Sequence, residues 1–111
     1  MIRHISVFTF LDEPGNGKTK AENMAAVRAY LERVPQLYPA MKRQQIGVTV
    51  GGTPVLPDDA PVMFGDLVQS ADYDTPEDAN GYPPSKAHMD LVDFSTPMLK
   101  KVTAIDFAVT E

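Results

Sequence analysis

The segment Ile2–Leu11 (IRHISVFTFL) constrains the fold more than any other part of the chain. It is dense in β-branched and aromatic residues, and strand alternation sorts it into two faces. Ile2, His4, Ser6, Phe8 and Phe10 fall on one, and Arg3, Ile5, Val7, Thr9 and Leu11 on the other. Large apolar groups occupy both, so this strand is expected to be covered on both sides.

Asp12–Gly17 (DEPGNG) follows as a turn. Thr19 and Glu22 stand at capping-box spacing and open a helix whose apolar stripe is Met24, Val27, Leu31 and Val34. Pro35 and Pro39 bracket its exit. Gln44–Val50 reads as a second strand, with Ile46, Val48 and Val50 on one face, and the proline-rich Gly51–Pro61 as an extended connection. Val62–Tyr73 is the third strand. Thr75-Pro76-Glu77-Asp78 starts another helix, with a threonine cap, a proline at the first helical position and acids in the first turn. A short helix around His88 and a break at Ser95-Thr96-Pro97 lead to a last strand, Val102–Val109.

The order βαββαβ is the ferredoxin-like split βαβ arrangement, an α+β fold with a four-stranded antiparallel sheet and helices on one face. The chain of 111 residues is expected to form one domain, 1–111. Helices on one face leave the second apolar sheet face uncovered, so a homodimer through that face is expected.

Composition narrows the partners. The formal charge is −5 and no basic run exists, which argues against nucleic acid and anionic membranes. Cysteine is absent, which excludes a disulfide framework and a thiolate nucleophile. The N-terminus runs straight into a strand pattern without a leader-like segment, so a soluble cytoplasmic protein is expected.

Local motifs for familiar chemistry fail one by one. Gly17-Lys18-Thr19 resembles the end of a phosphate-binding loop, but the first glycine of that motif would stand where Asp12 is. Asp72, Asp74, Glu77 and Asp78 lack calcium-loop spacing. His4 and His88, the two histidines, belong to no local zinc motif, and no serine elbow supports a triad hydrolase. No metal or cofactor is therefore expected. Asp66 and Asp106 lie within strand patterns, where an acid either sits at an edge, pairs with a hydroxyl or orients a histidine.

Tyr82 and His88 remain, within Asn80–His88 (NGYPPSKAH). On one continuous helix, six residues apart, their side chains would diverge. Pro83-Pro84 ends the first helix and lets the chain enter a second one before His88. The two side chains can then converge on one pocket, with His4 as a third member.

The opening I-R-H-I-S-V-F-T-F, the long helix ending near Val34-Pro35, and Tyr82-x5-His88 before the final Val-x-x-x-Asp-Phe strand resemble the stress-responsive dimeric α/β-barrel (Dabb) family. The resemblance implies sheet-to-sheet pairing into a dimeric α/β barrel. Relatives include plant olivetolic acid cyclase, which closes a polyketide chain by an aldol-type reaction without metal or organic cofactor. It implies catalytic roles for Tyr82 and His88, with His4 matching a first-strand histidine. Ser85-Lys86 replaces a His-Pro pair frequent in the family, and the Gly51–Pro61 loop is longer.

The expected function is a homodimeric small-molecule-binding protein acting as a cofactor-independent lyase, cyclase or isomerase on a carbonyl-activated C–H. His88 would be the base, Tyr82 would stabilise the enolate and His4 would orient His88 or the substrate. The alternative is a non-enzymatic stress-responsive or ligand-binding dimer, in which His88 packs against Leu91 and Phe94 with no cavity beside it. A cofactor-free monooxygenase or haem-handling barrel is the third reading.

Overall fold

The computed structural model describes residues 1–50 and 65–110. The elements are β1 (Ile2–Phe10), α1 (Lys20–Leu37), β2 (Lys42–Val48), β3 (Leu67–Tyr73), α2 (Pro76–Gly81), α3 (Lys86–Ser95), a 3₁₀ turn (Thr96–Met98) and β4 (Leu99–Ala108). The strands form one antiparallel sheet in the order β2-β3-β1-β4. Two split βαβ units thus interleave, as the α+β reading requires. The expected Gly51–Pro61 connection and the start of the Val62–Tyr73 strand lie outside the described residues.

β1 is central, between β3 and β4, and behaves as its pattern dictates. His4, Ser6, Phe8 and Phe10 are buried beneath the helices. Leu67, Gln69, Ala71 and Tyr73 of β3 are buried on the same side. Two apolar clusters fill the space between sheet and helices. One joins Phe8, Phe10, Val27, Leu31, Leu67 and Leu91; the other joins Val34, Met41, Ala71, Tyr73, Ala79 and Tyr82. On the far face, Ile5 pairs with Ile105 and Val7 with Val68, and Ile105 is 59% exposed. Arg3 and Arg43 grip the buried Asp72 carboxylate at 3.0 and 2.9 Å on that face.

Helix α1 starts at the expected capping box. The Glu22 amide donates to Thr19 Oγ1 at 3.1 Å, and the Thr19 amide donates to Glu22 Oε1 at 3.0 Å. Asn23 joins Val27, Leu31 and Val34 in the fully buried stripe, with Met24 packed partly buried against the core beside it, and Asn16 from the preceding turn donates to Asn23 Oδ1 at 3.0 Å. The helix also continues through Pro35 to Leu37. A proline lacks the N–H that would bond the carbonyl four residues earlier. That carbonyl belongs to Leu31, and Gln44 Nε2 donates to it at 2.8 Å instead. Gln44 Oε1 accepts in turn from the buried Gln69 Nε2 at 2.6 Å. A side-chain relay from β2 and β3 therefore replaces the missing backbone bond, and the helix outlasts its proline.

Candidate functional site

Three short-range devices bring Tyr82 and His88 together. Thr75 caps α2 by accepting from the Asp78 amide at 3.1 Å, and the helix stops at Gly81, leaving Tyr82 as its C-cap. Pro83-Pro84 prevents continuation. Ser85 then caps α3: its Oγ accepts from the His88 amide at 3.3 Å and donates to the Tyr82 carbonyl at 2.6 Å. Ser85 thus ties the backbones of Tyr82 and His88 to each other. The Tyr82 and His88 rings meet edge to face with centroids 4.8 Å apart.

His88 Nδ1 lies 2.9 Å from the Pro83 carbonyl. A carbonyl only accepts, so Nδ1 carries the proton of the neutral ring and Nε2 keeps its lone pair. Nothing in the described chain hydrogen-bonds that Nε2, so His88 is presented as a base. Its orienting partner is Pro83, not His4.

His4 is held elsewhere. Its Nδ1 is 2.6 Å from Asp106 Oδ1 on the neighbouring β4, and its Nε2 is 2.7 Å from Ser6 Oγ on its own strand. Both nitrogens are engaged, so among the described residues His4 makes no hydrogen bond to His88. The His4 ring instead stands edge-on to Tyr82, with centroids 6.0 Å apart. Asp106 therefore does orient a histidine and also occupies an edge strand, with its side chain 40% exposed. Asp66, by contrast, accepts from the Phe10 amide at 2.8 Å and pairs with Lys20 at 3.2 Å, which fastens the end of β1.

All three candidates line one cavity of about 140 Å³ between β1, β4 and α3. Ser6 and Gln69 add polar groups, while Phe8, Leu91, Leu99 and Ala104 make the rest of the wall apolar. A second recess of about 240 Å³, on the β4 side, is bordered by His4, Tyr82, Pro83, His88 and Asp106.

The electrostatics favour a neutral phenol at Tyr82. The residue is 3% exposed, its hydroxyl has no hydrogen-bond partner among the described residues, and burial, helped by the nearby Tyr30, raises its pKa to about 12. Such a hydroxyl keeps its proton and can donate it to charge developing on a ligand oxygen. Tyr73 packs 6.2 Å from Tyr82, and its pKa is also driven up, mainly by burial, then by Tyr82, Asp106 and Tyr38. Among the described residues, no three His, Asp or Glu side chains cluster as metal ligands.

Alternation places Ser6 on the His4 face, yet nothing in the sequence signals its contact with Nε2; Asp106, one of two strand acids open to orienting a histidine, is matched to His4 only by the β1–β4 register. The Ser6–His4–Asp106 line is assembled by tertiary pairing, so no serine-elbow motif announces it.

Comparison with solved structures establishes the fold. A dimeric ferredoxin-like protein of unknown function from Thermobifida fusca superposes with a TM-score of 0.70 at 24% identity, covering 97% of this chain and 90% of that one. A Dabb family protein with a ferredoxin-like fold from Mesorhizobium loti gives 0.71 at 14% identity, over 99% and 97%. A hydroxynitrile lyase from Passiflora edulis gives 0.75 at 15% identity, over 99% and 94%. The chain has the ferredoxin-like fold. Neither a protein-family model nor a curated protein sequence matches it. Among the described residues, no helix is long and apolar enough to cross a membrane.

Proposed function

We propose that this chain is a Dabb-type homodimer that carries out cofactor-independent lyase, cyclase or isomerase chemistry on a small carbonyl compound. The observation that carries the reading is the 4.8 Å Tyr82–His88 pair at the wall of one cavity, with His88 Nδ1 committed to Pro83. His88 Nε2 removes a proton from the carbon beside the carbonyl, and the Tyr82 hydroxyl donates to the oxygen as enolate charge forms. His4 braces the Tyr82 ring, held in place by Asp106 and Ser6. The two groups are each worth about 10²–10³ in rate.

Dimerisation is supported by the far sheet face, where Ile105 and Phe107 are exposed, and by the dimeric state named for two structural neighbours. The lyase reading gains from the Passiflora edulis enzyme of the same fold. The cavity beside His88 favours this reading over a ligand-free packing role.

The test is exchange of acidic C–H protons of small ketones and aldehydes in D₂O, followed by NMR. Exchange above buffer rate is expected for wild type, with losses of about 10²-fold or more in His88→Ala and Tyr82→Phe. Equal exchange by both variants on a compound that wild type turns over would overturn the mechanism.

A further inference from the structure

In the enolate mechanism Ser6 only helps to hold His4, and His4 only braces the Tyr82 ring. Their geometry is more specific than bracing requires. Ser6 Oγ is 2.7 Å from His4 Nε2, and His4 Nδ1 is 2.6 Å from Asp106 Oδ1. An ionised carboxylate only accepts, so Nδ1–H donates to Asp106. The Nε2 lone pair is then the acceptor for the Ser6 hydroxyl proton. A hydroxyl, an imidazole held in the correct tautomer and an orienting carboxylate are the components that activate a serine. Ser6 and His4 both line the 140 Å³ cavity, so the hydroxyl has space beside it for a substrate carbonyl.

We propose that Ser6, His4 and Asp106 form a nucleophilic relay that takes acyl groups from small activated esters. Ser6 Oγ bonds to the acyl carbon as its proton passes to His4 Nε2. The tetrahedral oxyanion collapses, the bond to the leaving alkoxide or phenoxide breaks, and that oxygen takes the proton from Nε2. Water, deprotonated by Nε2, then attacks the acyl carbon; the carboxylic acid leaves and Ser6 Oγ recovers its proton. A cavity of this size is close to the roughly 150 Å³ that holds a benzene molecule, so the acyl group is limited to about six heavy atoms. Its apolar wall of Phe8, Leu91 and Leu99 selects an uncharged acyl chain.

The experiment treats the full chain with p-nitrophenyl acetate and with the bulkier p-nitrophenyl decanoate. The readouts are nitrophenolate release and the site of acylation by peptide mass mapping. The expected result is one acetyl group per chain, mapped to Ser6, and little reaction with the decanoate. Ser6→Ala should lose the adduct while keeping the wild-type circular dichroism. Ser6→Cys, nearly isosteric, should hold the acetyl group as a thioester at position 6. Asp106→Asn acts through His4 and should slow acylation by about 10²-fold or more and displace its pH profile. Acetylation confined to lysines, His88 or the N-terminus in both wild type and Ser6→Cys would overturn the proposal. So would a wild-type rate of burst release in Ser6→Ala. Because the mapped adduct does not depend on C–H exchange, failure here and failure of the enolate mechanism are separately visible.

Discussion

Two neighbouring tyrosines should respond in opposite directions to loss of the same atom. Tyr38 and Tyr82 pack with ring centroids 5.4 Å apart in one cluster. The Tyr38 hydroxyl donates to the Asp78 carbonyl at 2.6 Å. The Tyr82 hydroxyl is buried without a partner among the described residues. Removing a made hydrogen bond costs about 0.5–1.5 kcal/mol, whereas a buried polar group lacking a partner carries a penalty of about 1–3 kcal/mol. Tyr38→Phe should therefore destabilise the fold by about 1 kcal/mol, and Tyr82→Phe should stabilise it by about 1 kcal/mol or more. In a domain of this size each kcal/mol moves Tm by roughly 4 °C, so the two variants should melt some 8 °C apart. Calorimetry at one protein concentration is the assay, because any association would make Tm depend on concentration. Loss of C–H exchange should accompany the gain in stability at Tyr82, as expected where a site holds a group in an unfavourable state for function. A Tyr82→Phe protein that melts at or below Tyr38→Phe would refute the reasoning.

Two further outcomes follow from other contacts. Asp72 is held below the ordinary carboxylate range, first by its bond to Arg3, with Arg43 adding to it against the opposing effect of burial. A carboxylate depressed in the folded state contributes stability above its unfolded value of about 3.9, and loses it as pH falls through the lower folded value. Acid titration of unfolding should therefore show a steeper loss below about pH 4 in wild type than in Asp72→Asn. Gln44→Ala removes the donor to the Leu31 carbonyl and leaves the buried Gln69 amide only its weak bond to Met41 Sδ, and should cost about 1–3 kcal/mol in urea unfolding at unchanged slope.

Much of the fold was legible because it rests on local signals. The β-branched and aromatic run Ile2–Leu11 foretold a strand there, and Thr19 with Glu22 foretold the start of α1. Pro83-Pro84 between Tyr82 and His88 foretold two helices meeting at a corner. What escaped depends on partners distant in sequence. Pro35 reads locally as a helix end, and only Gln44, nine residues on and in another element, reverses that. His4 shares its cavity with His88 as read, but that Asp106 holds it shows only in the β1–β4 register. Ser85 looked like a departure from a family pattern, whereas its hydroxyl is what caps α3 and fastens it to Tyr82.

The central claim is that His88 offers an unprotonated Nε2 beside Tyr82 because Nδ1–H is bound to Pro83. Long-range ¹⁵N correlation NMR on histidine-labelled protein, at a pH where the ring is neutral, reads the tautomer directly. The account predicts the Nδ1–H form for His88, with Nε2 at the shift of a bare imidazole nitrogen. An Nε2–H tautomer would contradict it, since that ring would bring a donor to the cavity where the mechanism requires a base.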